Sequence, residues 1–303
     1  MMRWLLIILM FMMAVSEINA QQKLFMSHYM HNQFAINPAF AGSREVLTAF
    51  GGYRQQWTGA PRAPYAQYFT AHAPLKNENV ALGLSLYNEQ FPIVRNSGFS
   101  FAYAYRVRMT NGSRLSFSLS GGMEFSSASW DDVSLLQPDD PVFGYNETAS
   151  EPQLRFGVAW YSSNYFVGFS IADLFYKNMF DEDSPFFEPG KSDYLITAGY
   201  LYDVSQTLSL QPSALLRYNP DLSTTLDVSA TVIMHNLIWA GVTYRSNNEL
   251  IGLLGWQVSP QLRLAYSYDY PTGDLSNLNS GSHEVSLQFD FGYRIATVSP
   301  KFF

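Results

Sequence analysis

Residues 114–125 read Arg-Leu-Ser-Phe-Ser-Leu-Ser-Gly-Gly-Met-Glu-Phe. Leu115, Phe117, Leu119, Gly121, Met123 and Phe125 alternate with Ser116, Ser118, Ser120, Gly122 and Glu124. Successive side chains of a β-strand point to opposite faces, so this segment has one apolar face and one face of small, polar or charged groups. Near the C-terminus Val285, Leu287, Phe289, Phe291 and Tyr293 alternate in the same way with Glu284, Ser286, Gln288, Asp290 and Gly292. From residue 78 onward the chain repeats this pattern almost to its end, about ten residues of alternation and then a turn. Such strands behind an export signal imply a barrel with lipid outside and a polar lumen.

The N-terminus supplies that signal. Arg3 precedes an apolar run from Trp4 to Val15, and Ile18-Asn19-Ala20 ends in a small residue suited to signal peptidase. The run is too short for a spanning helix, which needs about 20 residues. Residues 1–20 are therefore expected to be a cleaved leader, with the mature chain starting at Gln21. The most apolar later stretch, Val232 to Val242, is interrupted by His235-Asn236, a pair better suited to a hairpin turn than to a helix interior. The chain has no cysteine, hence neither a disulfide framework nor a lipidated N-terminal Cys. Charged residues make up 14% of the chain and aromatics 16%, against about 25% charged in ordinary soluble domains. Twenty Tyr and six Trp suit aromatic girdles at the two membrane interfaces. The net charge of −7 carries no basic stripe, which argues against a nucleic-acid partner.

The alternation predicts an all-β fold, a transmembrane antiparallel barrel of about fourteen strands. These fall near residues 44–55, 65–74, 79–89, 94–108, 114–128, 153–162, 164–173, 193–203, 207–218, 224–234, 237–246, 249–258, 261–270 and 283–294. Connections after even-numbered strands are short and rich in turn formers, such as Asn111-Gly112, His235-Asn236 and Ser259-Pro260. The long connections, 56–64, 129–152, 174–192 and 271–282 among them, all follow odd-numbered strands. Parity thus gathers them at one end, which in such barrels faces outward while the short turns face the periplasm. The organisation expected is a leader (1–20), a periplasmic N-terminal segment or plug (21–43), a barrel (44–294) and a tail (295–303).

The segment between leader and barrel carries a more specific pattern. Tyr29-Met30-His31-Asn32 leads into Asn37-Pro38-Ala39-Phe40-Ala41-Gly42, followed by Arg54-Gln55-Gln56-Trp57 and Gly59-Ala60-Pro61. This resembles the head of the PorP/SprF family of outer-membrane proteins of type IX secretion and gliding. Phe40 stands where the family usually has Tyr, and the ending Pro300-Lys301-Phe302-Phe303 is similar to the family's own. The resemblance implies Tyr29, Met30, Asn37, Pro38, Ala39, Phe40, Ala41, Gly42, Arg54, Gln56, Trp57 and Pro61 as family-motif positions. It also implies an outer membrane of the Bacteroidetes type. The implied role is export or presentation of surface proteins (adhesins or cargo with a sorting domain), or joining the envelope-spanning machinery. Independently of the resemblance, Pro38 and Gly42 make residues 28–43 an ordered coil rather than a strand. Phe34, Ile36 and Phe40 need burial, which a plug in the barrel's lower mouth would provide. Such a segment either closes the barrel base or contacts a partner.

Other residue groupings are weaker. His28 and His31 have a spacing that on a helix would bring two imidazoles together, but no third ligand lies nearby, so no metal site is expected. Ser282-His283-Glu284 contains hydrolase residue types, yet neighbours on a strand face opposite ways and cannot form a relay, and no Gly-x-Ser-x-Gly occurs. No enzyme activity and no cofactor are expected. Asp131, Asp132, Asp139, Asp140, Glu147 and Glu151 make one outer loop acidic, and Asp181, Glu182, Asp183 and Glu188 another. Such clusters could coordinate Ca²⁺ or attract a basic partner, but their spacing fits no EF-hand, so the reading preferred is a solvated loop. Phe186-Phe187, between Pro185 and Pro189, is a candidate partner contact. Arg106, Arg108, Arg155, Arg217, Arg245, Arg263 and Arg294 fall on polar faces or near strand ends, with Glu124, Asp227, Asp269 and Asp290 as available lumen partners. The function expected is a component of type IX secretion and gliding that binds or anchors a surface protein or machinery components. The alternative is a passive channel for small solutes.

Overall fold

The computed structural model describes residues 26–129, 147–172, 174, 192–220, 224–272 and 280–292. Fourteen antiparallel strands form one closed sheet. They are β1 (Leu47–Gln55), β2 (Tyr65–Pro74), β3 (Val80–Gln90), β4 (Val94–Arg108), β5 (Arg114–Ala128), β6 (Glu147–Tyr161) and β7 (Tyr165–Ala172). β8 (Asp193–Tyr200) resumes at Tyr202–Asp203, and β9 (Leu208–Tyr218), β10 (Thr225–Met234), β11 (Ile238–Arg245), β12 (Glu249–Gln257), β13 (Leu262–Pro271) and β14 (Ser282–Phe291) follow. Each strand pairs with its neighbours in sequence, and β14 returns to β1 from Leu47↔Phe291 to Gln55↔His283. No described helix is long and apolar enough to cross a membrane.

The two faces are inverted relative to a water-soluble protein. On β5, Ser116, Ser118 and Ser120 are buried while Phe117 and Leu119 are exposed. Phe101 and Leu254 are 62% and 60% exposed on the outer wall, whereas the inward Arg54, Arg106 and Glu284 are nearly inaccessible. Apolar side chains on the outside belong against hydrocarbon, and closure leaves no strand edge with unpaired backbone groups there.

Two departures from the expected strands have one cause, the missing N–H of proline. β6 begins at Glu147, not near residue 153, and runs through Pro152. Among the described residues, the part of β6 around Pro152 has ladder partners on β5 only; pairing with β7 starts at Phe156↔Ile171, and the Leu174 amide adds one bond to the Leu154 carbonyl. Pro152 therefore sits on a locally one-sided stretch, where a strand tolerates it. β8 breaks at Leu201, where the register on either side would set Tyr200 opposite Pro212. His235 and Asn236 both adopt left-handed φ, 52° and 54°, the geometry of the tight hairpin turn read from the sequence. At the opposite end β11 and β12 are joined by only residues 246–248, so the end that carries the long loops carries short turns too.

If the outer wall faces lipid, Leu254→Arg destabilises the barrel by roughly 2–4 kcal/mol, and Leu254→Phe leaves it almost unchanged. Denaturant titration from lipid vesicles, read by heat-modifiable gel migration, checks this. Equal midpoints for the two variants would contradict it.

Candidate functional site

Residues 26–43 lie inside the barrel. The segment starts with a turn in which the His31 and Asn32 amides donate to the His28 carbonyl (3.0 and 3.2 Å). A single helical turn, α1 (Gln33–Ile36), follows, and then a 3₁₀ turn at Pro38–Phe40. His28 and His31 are thus not on a helix. His28 Nδ1 meets the Ser286 hydroxyl at 2.6 Å, and His31 packs against the Trp239 ring. Asn37 organises the second turn. Its Oδ1 accepts from the Ala39 amide at 2.9 Å, and its Nδ2 donates to the carbonyls of Val158 and Phe169 on two adjacent strands. Pro38 fits the first position of that turn because its absent N–H has no partner to lose there.

The wall is shaped to receive this segment. A Cβ at Gly157 would overlap the Asn37 amide, one at Gly168 would crowd Asn37 and Phe40, and one at Gly83 would overlap the Phe34 ring. Phe40 is buried against Tyr161 and Phe166, with ring centroids 5.8 and 6.0 Å away. No hydroxyl is needed in that apolar pocket, so Phe serves where the related pattern has Tyr. Gly42 has φ 68°; its amide donates to His72 Nδ1 at 3.0 Å and its carbonyl accepts from Arg106. A side chain there would be strained and would meet Ala81.

Both ends of the segment are fixed by charge. Toward the long loops, Glu284 accepts from the amides of Ser27 (2.7 Å) and His28 (3.2 Å), the Tyr68 hydroxyl and Arg54 (3.3 Å). Arg54 also meets Asp269 at 2.6 Å, and the Ser27 hydroxyl bridges the two. Next to this group Arg245 grips Asp227 with two hydrogen bonds (2.9 and 3.1 Å) and reaches Glu249, while Arg217 approaches Asp227 at 3.3 Å. At the short-turn end Arg44 makes the same two-pronged contact with Asp290. There Glu45 contacts Arg114 (3.0 Å) and Arg106 (3.4 Å). The segment is therefore not confined to one mouth. It descends from the Arg54 end of β1, beside the long loops, to the start of β1 at the short turns.

The expected lumen charges are partly re-paired. Arg106 meets Glu45 rather than a strand carboxylate, and Glu124 accepts from Tyr87 and Gln153 instead of an arginine. Arg155 donates to the Ala35 carbonyl, and Arg108 is exposed at the end of β4, outside the lumen. Asp227 has the arginine partners expected for it, and Asp269 is held mainly by Arg54. Glu284 is inward and fully buried while His283 leans on Tyr266 and Tyr268, so the run 282–284 is split across the wall. Of the other motif residues, Tyr29 and Met30 are buried, and the Tyr29 hydroxyl lies 3.1 Å from that of Ser229. The Gln56 amide donates to the Pro64 carbonyl and the Trp57 amide to the Ser282 hydroxyl, while Pro61 is exposed. Residues 1–25, Asp131, Asp132, Asp139, Asp140, Asp181, Glu182, Asp183, Phe186, Phe187, Glu188, Arg294 and the tail lie outside the described residues.

A family model described as type IX secretion system membrane protein PorP/SprF matches residues 18–289. The chain belongs to the PorP/SprF family. The match extends from upstream of Ser27 into β14, so the inner segment is part of what the family shares. Curated proteins give no match. Among solved structures, Omp33 of Acinetobacter baumannii is 7% identical over 82% of this chain and 100% of its own, with TM-score 0.47. A deletion mutant of the monoaromatic hydrocarbon channel TodX is 10% identical over 88% and 93%, with TM-score 0.47. A Pseudomonas aeruginosa FadL homologue is 12% identical over 82% and 90%, with TM-score 0.43. Family and barrel together place the chain in the outer membrane, as a secretion-system membrane protein.

The inner segment makes two predictions. Glu284→Ala leaves Arg54 short of a partner and strips two segment amides of their acceptor, a loss of about 3–5 kcal/mol for a broken buried pair. Limited proteolysis of the folded barrel should then cut near residues 26–31, and wild-type resistance in the variant would refute the anchoring role. The second concerns pH. Burial holds the His31 imidazole well below its ordinary range, and His28, Arg263 and Arg44 push the same way. Burial also lowers His28, opposed by Glu284 and Asp269. The unfolded chain thus binds more protons below about pH 6.5. Stability is complete above that pH and falls as the medium is acidified. The unfolding midpoint should drop between pH 7.5 and 5, and His31→Gln should flatten the slope.

Proposed function

We propose that the protein is a binding and anchoring component of type IX secretion and of the gliding apparatus, and that it does not conduct solutes. Its leader is removed after Ala20, and it holds a secreted surface protein or partner components of the machinery from a rigid, lipid-embedded barrel. The observation that carries this reading is the occupied lumen. Tyr29, Phe34, Ala39 and Phe40 are buried against the wall; at one end the Ser27 and His28 amides donate to the buried Glu284, and just past the other end Arg44 pairs with Asp290. A conduit would need that segment to leave, and a buried carboxylate that loses its donors is costly. A filled barrel instead offers fixed surfaces at its two ends. The outer loops are the proposed contact for a surface protein, with Phe186-Phe187 as its apolar element.

Gentle detergent extraction of the affinity-tagged protein from its native outer membrane, with mass spectrometry of what accompanies it, tests the reading. Near-equal recovery of other type IX components or of a large surface protein is the expected result. Phe186→Ala combined with Phe187→Ala should reduce recovery of the surface protein at least about tenfold, the loss of one buried aromatic anchor. In planar bilayers the protein should show no steady conductance. A barrel recovered alone, together with open-channel currents, would replace this reading with that of a solute channel.

A further inference from the structure

A cavity of about 190 Å³ lies on top of the inner segment and opens toward the long loops. That is the space of about six liquid waters. Its floor is Ala35 and Ile36, and Arg155 of β6, Ala172 of β7 and Leu195 of β8 form one side. The other charges that line it, Arg54, Arg217, Glu89 and Asp193, are already committed. Arg54 is held by Asp269 and Glu284, Arg217 by Asp227, Asp193 accepts from Asn219, and Glu89 is not free either. Arg155 differs from them. It has no carboxylate within ion-pairing distance among the described residues; its one hydrogen bond, 3.2 Å long, goes to the neutral Ala35 carbonyl, and its Nε is buried without an acceptor.

We propose that this cavity is a binding site for a carboxylate carried on a small apolar body and entering from the long-loop side. A planar guanidinium matches a carboxylate with two parallel hydrogen bonds, and a partly enclosed site strengthens them. One uncommitted cation suits a monoanion better than a phosphate dianion. Ile36, Ala172 and Leu195 provide the apolar surface for the rest of the ligand. The carboxylate has two possible sources, a free small organic acid or the terminal carboxylate of a peptide, and both have the chemistry the cavity recognises.

The test is calorimetric titration of the full-length barrel in detergent with three probes: 3-phenylpropanoate, the free acid N-acetyl-Leu-Phe, and the amide of the same peptide. At least one acid should bind, and the amide should bind no less than about tenfold more weakly than its acid, since it lacks the charge. Binding by 3-phenylpropanoate alone assigns the site to small acids, and binding by the peptide acid alone assigns it to peptide termini. Arg155→Gln should weaken the acid about tenfold, and Arg155→Lys should restore part of it, because a point charge lacks the fork. Ala66→Trp, on β2 and away from the strand that carries Arg155, fills the cavity and should abolish binding, which keeps the test decisive if Arg155→Gln fails to assemble. Equal affinity for acid and amide, no binding of either acid, or unchanged affinity in a folded Arg155→Gln or Ala66→Trp protein would overturn the proposal.

Discussion

Everything in this molecule follows from the absence of water in the hydrocarbon layer. Every backbone N–H and C=O at that depth needs a partner within the protein, and a sheet meets that demand only by closing on itself. Closure then sets the faces. Side chains pointing outward meet lipid and are apolar; those pointing inward are largely Ser, Thr, Gln and charge, with apolar residues such as Phe166, Leu215 and Trp239 where the inner segment packs. A fourteen-strand ring of this kind encloses more space than its own inward side chains fill. The chain fills the rest with its N-terminal segment.

That filling is mixed, because the wall it lies against combines polar side chains with apolar ones such as Phe166, Ile233 and Trp239. Ser27, His28, Asn32 and Asn37 bond to the wall through side chains or backbone, and glycines at 83, 157 and 168 open room at the points of closest approach. Aromatic residues take the remainder, with Phe34 over Gly83 and Phe40 between Tyr161 and Phe166. In the most specific run of the sequence, residues 37–42, the choices of Asn37, Pro38, Phe40 and Gly42 are therefore explained by the cavity they occupy. This division of labour leaves the interior packed around the segment, with open space against Ala35 and Ile36.

The strand pattern was legible because alternation is a local property, and fourteen segments of it lie in plain view between residues 44 and 294. The boundary at β6 was misread because Pro152 is a reliable strand breaker only where both edges are paired, and pairing is a tertiary fact. Apart from Asp227, whose arginines lie on the adjacent strands, the partners of the lumen charges were not legible. Arg54 and Glu284 are 230 positions apart, and only the β1–β14 seam brings them together. Inward parity alone would have marked Arg54, since it shares the face of Thr48 and Phe50, but parity names no partner. Likewise Asn37 and Pro38 announced an ordered turn, while the receiving glycines, more than a hundred residues away, gave no sign of their purpose.

The seam also joins the early part of the chain to the late part by charge. Arg44, Arg54 and the Ser27 and His28 amides belong to the first part of the chain to be made, while Asp269, Glu284 and Asp290 belong to the last two strands. The closest charged contacts of each set lie in the other. A chain stalled before β13 carries its leading cations without counter-charges, and a chain whose head has been clipped carries trailing carboxylates in the same state. Start and finish of the polypeptide thus authenticate one another, and the ring acquires a chemical proof that it is whole at the moment its last hydrogen-bonded seam is sealed.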